Sequence, residues 1–203
     1  MENLTEAEIL ELHNVVSQIF NILQVTKDPG LLKSIVERPD TIFSNYSPYS
    51  EIFSKAASIM EAIIRWHPFV DGNKRTALLA TAYYLHKNDY SLIIPFSMVR
   101  FTVLIAKNQD NDQESTMKLI GEISQYLQKL SVKKGKSILP KVLKYVMLPL
   151  IGLGLISLFD LGRYSKRKIS QWMAFDIYPE YEKEYVNIYK FLLQVMSGST
   201  SWK

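Results

Sequence analysis

Residues 67–76 read HPFVDGNKRT. The stretch gathers a histidine, a proline, an aspartate, a glycine, an asparagine and an adjacent lysine–arginine pair between two long apolar-periodic segments. Upstream, Ile52, Phe53, Ala56, Ile59, Met60, Ile63 and Ile64 recur at spacings of three and four, which predicts a helix over 51–66. Downstream, Leu78, Leu79, Ala82, Tyr83 and Leu85 restore that period from about Asn73 until it stops near Asn88. Ala77, Ala80 and Ala82 are small, so the second helix is suited to close packing on a neighbour. The stretch is therefore a loop between two helices, and the fold around it is predicted to be all-α.

The rest of the chain extends that reading. Thr5 followed by Glu8 has the spacing of a capping box, and Leu10, Val15, Ile19, Phe20 and Leu23 continue an apolar stripe. Lys27-Asp28-Pro29-Gly30 ends that helix with breaker residues. A short helix over 31–37 stops before Arg38-Pro39. DTIFSNYSPYS, 40–50, is polar and turn-rich, and reads as a short hairpin or an extended loop. Helices are predicted over 95–106 and 114–130, and SVKKGK, 131–136, reads as a linker or solvated turn. The uncharged YVMLPLIGLGLISLF, 145–159, is flanked by basic residues. As a helix it spans roughly 22 Å, short of the roughly 30 Å hydrocarbon core, and Pro149, Gly152 and Gly154 weaken it further. It reads as a buried segment of a tail subdomain or as a membrane-interface anchor. YPEYEKEYVNIYKFLLQVM, 178–196, has the period of an amphipathic packing helix.

Composition narrows the function. The 203 residues suit one domain with an appended piece. A net charge of +4 permits an anionic ligand such as a nucleotide without demanding nucleic acid. With no cysteine and three histidines, disulfide scaffolds, thiol nucleophiles and Cys-based zinc sites are excluded. His13 and His86 lack the context of His67 and read as structural or surface residues. MENLTEAEILEL has no basic segment leading into an apolar run, so a cytoplasmic location is expected.

The chemistry of 67–76 suits phosphate. A helix beginning near Asn73 presents free backbone N–H groups and the positive end of its dipole. Gly72 lets the backbone approach a bound group, and Asn73 has the side chain to cap the helix and to point an amide at an oxyanion. Lys74 and Arg75 lie in the first turn, where cations are unfavourable for the helix alone, so an anion is expected there. His67 can take a proton from an attacking hydroxyl, and Asp71 beside phosphates suits Mg²⁺. Base, metal ligand and phosphate cradle together describe transfer of part of a nucleotide to a hydroxyl. Singly, each residue has an ordinary reading: a helix-end histidine, an Asp-Gly turn, a solvated Lys-Arg pair.

HPFVDGNKRT resembles the signature of the Fic/Doc (Fido) family: His-Pro-Phe, two variable residues, Gly-Asn and a following Arg, in a helix–loop–helix setting. KDPGLLKSIVERP, 27–39, is similar to the segment upstream of the motif in death-on-curing proteins, and FSKAASIMEAIIRWHPF, 53–69, to their preceding helix. The resemblance spans residues 4–128. It implies a Fido-type helical domain over 1–130 with a short β-hairpin flap, followed by a helical C-terminal extension over 131–203. The flap, which docks a target segment in extended form, falls at Thr41, Ile42, Phe43, Ser44, Asn45 and Tyr46. Carried over, His67 activates the target hydroxyl, Phe69 anchors the loop, Asp71 binds Mg²⁺, Gly72, Asn73 and Lys74 form the anion-holding turn, and Arg75 contacts phosphate.

Nucleotide-monophosphate transferases of the Fic type usually carry glycine where this chain has Lys74, and a second arginine where it has Leu78. The Asn-Lys-Arg-Thr form is that of death-on-curing toxins, in which the lysine fills the turn and ATP lies reversed. The resemblance thus implies phosphorylation by ATP of a serine, threonine or tyrosine hydroxyl on a protein of the translation-elongation-factor type. The family's inhibitory pattern is absent, so a separate antitoxin is the expected restraint. Pro68 and Gly72 are Fic-like, which keeps AMP transfer as an alternative. A catalytically idle binding module is another. No direct nucleic-acid binding is expected; weak membrane association through 138–168 is compatible with the basic flanks.

Overall fold

The computed structural model describes residues 1–136 except 43, 45, 109 and 111. The readings of 138–168 and 178–196, and the remainder of the expected extension, lie outside the described residues. The chain forms α1 (Glu6–Phe20), α2 (Pro29–Glu37), a 3₁₀ turn (Arg38–Asp40), α3 (Ile52–Trp66), α4 (Asn73–Lys87), β1 (Tyr90–Leu92), α5 (Phe96–Lys107), α6 (Gln113–Leu130) and β2 (Ser131–Lys133). It is mostly helical, with one small antiparallel sheet. Residues 1–93 and 100–136 belong to one compact unit, and 94–99, the entry into α5, to another.

The core is built around α3. Ala56, Ile59, Met60, Ile63 and Ile64 are buried, and so are Ala57, Ser58, Glu61 and Ala62, so the helix is enclosed on nearly every side. It packs most extensively against α4 and α6. Ala77 and Ala80 of α4 are fully buried, as their size predicts for a close helix pair.

The capping box at Thr5 is present. The Thr5 hydroxyl accepts from the Glu8 N–H at 3.2 Å, and the Glu8 carboxylate accepts from the Thr5 N–H at 2.7 Å. The buried face of α1 is Ile9, Leu12, His13, Val16 and Ser17 rather than the stripe of Leu10, Val15, Ile19, Phe20 and Leu23, and the helix stops sooner than that stripe predicts. Asn21 is left-handed (φ 51°) and closes α1, leaving Leu23 exposed. The Lys27–Gly30 breaker residues therefore do not end α1. They start α2: the Asp28 carboxylate accepts from the Gly30 N–H at 2.8 Å, and Pro29 takes the first helical position, where its missing donor costs nothing.

The two-stranded sheet pairs Tyr90 with Lys133, Ser91 with Val132 and Leu92 with Ser131. SVKKGK is thus not wholly a linker or turn: its first three residues give β1 a hydrogen-bonded partner. Within the expected flap, Ile42 and Tyr46 are exposed, Ser44 is left-handed (φ 44°), and Phe43 and Asn45 lie outside the described residues. Among the described residues no helix is long and apolar enough to cross a membrane.

A buried charge cluster ties these elements together. Glu61 of α3 accepts from Arg38 at 2.5 Å and from Arg65 at 3.0 Å, with all three side chains largely buried. Arg38 also lies over the Trp66 ring at 4.8 Å and donates to the Tyr49 hydroxyl at 3.3 Å. Arg65 reaches the Asp110 carbonyl at 2.6 Å. The 3₁₀ turn and the approach to α6 are thereby fixed to α3. Removing one partner of a buried ion cluster leaves charge uncompensated, at about 3–5 kcal/mol. Glu61→Ala is expected to lower stability by that much in urea unfolding. Lys33→Ala, which breaks the exposed Lys33–Glu37 pair at 3.9 Å, is expected to change it by less than about 0.5 kcal/mol.

Candidate active site

The loop between α3 and α4 begins at a helix end that the sequence forces. His67 is the C-cap of α3 and adopts the left-handed conformation (φ 51°, ψ 58°). Pro68 follows, and a residue before proline is disfavoured in a helix. The reversal carries the imidazole off the helix axis into solvent, so His67 is exposed while Pro68 and Phe69 are buried.

Phe69 is the anchor. Its ring is fully buried and stacks on His13 of α1, with centroids 3.7 Å apart and planes 9° from parallel. Its peptide groups are also buried and require partners. Asn73 supplies two of them: its Oδ1 accepts from the Phe69 N–H at 3.0 Å, and its Nδ2 donates to the Phe69 carbonyl at 2.8 Å. The segment after α1 supplies the flanking bonds. The Lys27 N–H donates to the Pro68 carbonyl at 2.8 Å, and the Val70 N–H to the Val25 carbonyl at 3.0 Å, with Thr26 bridged antiparallel to Phe69.

This changes the reading of Asn73. Its side chain neither caps α4 nor points at an oxyanion, because both polar atoms are committed to the peptide of Phe69. The cap position belongs to Gly72, in the left-handed region (φ 77°) and without any side-chain cap bond. A Cβ at residue 72 would lie 2.6 Å from Ile22 Cδ1, 3.3 Å from Val16 Cγ1 and 3.4 Å from His13 Cε1. Glycine is favoured by the backbone conformation, with Val16 and His13 of α1 and the flexible end of Ile22, two residues beyond it, close by.

The start of α4 carries no side-chain cap; Gly72 and Asn73 are buried, and Lys74 and Arg75 are half-buried. The first intrahelical bond runs from the Thr76 N–H to the Gly72 carbonyl at 2.8 Å, so the N–H groups of residues 73–75 precede any acceptor within the helix. A bound oxyanion suits those donors. The Gly72 N–H is taken by Asp71 Oδ1 at 2.5 Å, which orients an exposed carboxylate at the mouth of the turn. Lys74 is half-buried, and the Arg75 guanidinium lies over the Phe20 ring at 4.5 Å. Burial, then the charges of Lys27 and Lys74, hold His67 below the ordinary histidine range. Its imidazole is neutral at pH 7 and able to accept a proton. The loop thus brings His67, Asp71, Gly72, Lys74 and Arg75 to one helix–loop–helix corner. The expected flap residues are a separate segment, of which Thr41, Ile42, Ser44 and Tyr46 are described.

His13 supports the corner from beneath. It is buried, with Nδ1 3.1 Å from the Thr76 hydroxyl and Nε2 3.5 Å from that of Ser17. Burial pushes its pKa down, against smaller opposing effects of a backbone hydrogen bond at Leu23 and the charge of Asp71. A polar ring on the buried face of α1, between Ile9, Leu12 and Val16, was the available sequence signal for this role.

Comparison with known proteins identifies the family. A profile of the Fic/DOC family matches residues 3–85. The chain is 38% identical over 74 residues to a protein named Toxin Doc from Mycolicibacterium smegmatis, covering 36% of this chain and 57% of that one. It is 30% identical over 88 residues to a protein named Protein kinase doc from Escherichia phage P1, covering 43% of this chain and 69% of that one. The matched span includes α1, the loop and most of α4, and the chain belongs to the Fic/DOC family.

Gly72→Ala is expected to destabilise by about 1–2 kcal/mol through the left-handed backbone. The contact with Ile22 involves the end of a flexible side chain, so the penalty is expected to persist when measured in an Ile22→Val background; its disappearance there would assign it to the clash instead. His13 gives a pH signature. Its folded-state pKa is depressed, so the unfolded state binds the proton more tightly. Stability is expected to hold above the ordinary midpoint of 6.5 and to fall as pH drops below it, less steeply in His13→Gln, as read by thermal melting across pH.

Proposed function

We propose that the chain transfers the terminal phosphoryl group of ATP to a hydroxyl of a protein, as a toxin restrained by a separate antitoxin. The observation that carries this reading is an exposed His67 at the end of α3, followed within one loop by a helix start without a side-chain cap that bears Lys74 and Arg75. The names of the two relatives, a toxin and a protein kinase, support it. So does Lys74, in a position where nucleotide-monophosphate transferases of the family usually carry glycine.

His67 accepts the proton of the target serine, threonine or tyrosine hydroxyl as its oxygen attacks the γ-phosphorus. An oxygen–phosphorus bond forms, the bond from the γ-phosphorus to the bridging oxygen breaks, and ADP departs with that electron pair. The N–H groups of residues 73–75 and the charges of Lys74 and Arg75 hold the polyphosphate and stabilise charge developing on it. Asp71 is the residue suited to Mg²⁺: it is a single exposed carboxylate already oriented by the Gly72 N–H, and magnesium commonly takes one or two carboxylates together with substrate phosphates and water. Bound there, the ion would neutralise phosphate charge. Ile42 and Tyr46, exposed in the segment before α3, are available to an extended target peptide.

Pro68 and Gly72 also occur in AMP-transferring relatives, so AMP transfer is the second reading, and isotope position separates the two. Label from γ-³²P-ATP is expected to reach a translation elongation factor, with none from α-³²P-ATP; the reverse result selects AMP transfer. An idle binding module would transfer neither. His67→Ala is expected to reduce transfer by at least about a hundredfold, the low end of the contribution of a general base. Because the base must be unprotonated and its pKa is depressed, the acid-side decline of kcat/KM is expected to have its midpoint below the ordinary histidine value of 6.5.

A further inference from the structure

Lys27 stands outside the motif, yet the backbone holds it at the site. Thr26 is bridged to Phe69 in antiparallel register, and the Lys27 N–H donates to the Pro68 carbonyl at 2.8 Å. Lys27 therefore lies opposite Pro68, one residue from His67. Side chains alternate along such a pairing. Phe69 points into the core, while Val25 and Val70 are exposed, and Lys27 shares their solvent side.

Among the described residues its charge is left uncompensated. Among the described residues Lys27 forms no ion pair. The adjacent acid, Asp28, uses its carboxylate to cap α2 at Gly30. Lys27 nevertheless acts on the site: its field and that of Lys74 reinforce burial in keeping the His67 proton off. Two cations from two separate segments thus act on one imidazole. Such an arrangement is unfavourable in the empty protein and is relieved by an anion between them.

We propose that Lys27 is a phosphate-contacting residue of this site, gripping from across the loop the same polyphosphate that the start of α4 holds. The assignment rests on the phosphoryl-transfer reading above and adds to it a residue that belongs to the segment after α1. A side-chain ammonium projected by a hydrogen-bonded backbone gives a directed charge. It complements the backbone donors of residues 73–75, which carry none.

The test uses the full chain. Lys27 contributes its structural bond through the backbone N–H, so Lys27→Gln is expected to melt at the wild-type temperature. Isothermal calorimetry with magnesium–ATP, and separately with inorganic tripolyphosphate, is expected to show binding about tenfold weaker in Lys27→Gln, the size of one charged hydrogen bond. Lys27→Arg should retain most of the affinity, and Lys33→Gln, a distant exposed cation, should retain all of it. NMR titration of the His67 ring without nucleotide is expected to move its midpoint upward in Lys27→Gln. Equal affinity of Lys27→Gln and wild type, or an unmoved His67 titration, overturns the assignment and leaves the phosphoryl-transfer reading standing. A wild-type chain that binds neither ligand overturns both. Loss of protein-target binding with unchanged tripolyphosphate affinity would place Lys27 on an acidic target instead and refute the phosphate contact.

Discussion

Phe69 must be buried while the residues around it, His67, Val70 and Asp71, must meet solvent. Everything near the loop follows from satisfying both demands within five residues. The ring finds an apolar and planar partner in His13. Its peptide finds Asn73 on one side and the bridged segment 25–27 on the other. Gly72 suits the turn because its backbone is left-handed (φ 77°) where the loop passes close to α1. The result is a corner held by Phe69, His13, Asn73 and segment 25–27, at which His67 and Asp71 are exposed.

Charge is distributed with a similar division. Away from the corner, the half-buried cations Arg38, Arg65, Lys87 and Lys55 are matched: Arg38 and Arg65 share Glu61, Lys87 contacts Glu2 and Glu8, and Lys55 pairs with Asp40. At the corner, Lys27 and Lys74 have no ion-pair partner among the described residues. Buried charge in the core fastens elements together, whereas unmatched charge at the surface beside a helix start is available to a ligand.

The sequence disclosed what is periodic and local. The limits of α3 and α4 were readable because their apolar spacing continues to the residues that end them, and the cations of the turn were readable because helix physics makes them anomalous. What it concealed was tertiary. Leu23 carries on the stripe of α1, but Asn21 turns the chain away so that 25–27 can pair with the loop. Asn73 looks like a cap until Phe69 is known to bury its peptide. Ser131–Lys133 looks like a solvated linker until Tyr90–Leu92 presents an edge to it. His13 has one local partner, Ser17; Phe69 and Thr76, which explain its burial, are brought in from other segments.

The bridge between Thr26 and Phe69 also bears on how the molecule acquires its shape. It joins positions roughly forty residues apart, so the chain entropy of closing that span is lost before its hydrogen bonds compensate. Helices α3 and α4 can nucleate from nearby contacts, but the corner between them matures only when the amino-terminal segment returns to it. A growing polypeptide or a truncated fragment lacking that return would therefore possess the motif without its working geometry, and competence would arrive with the completed fold.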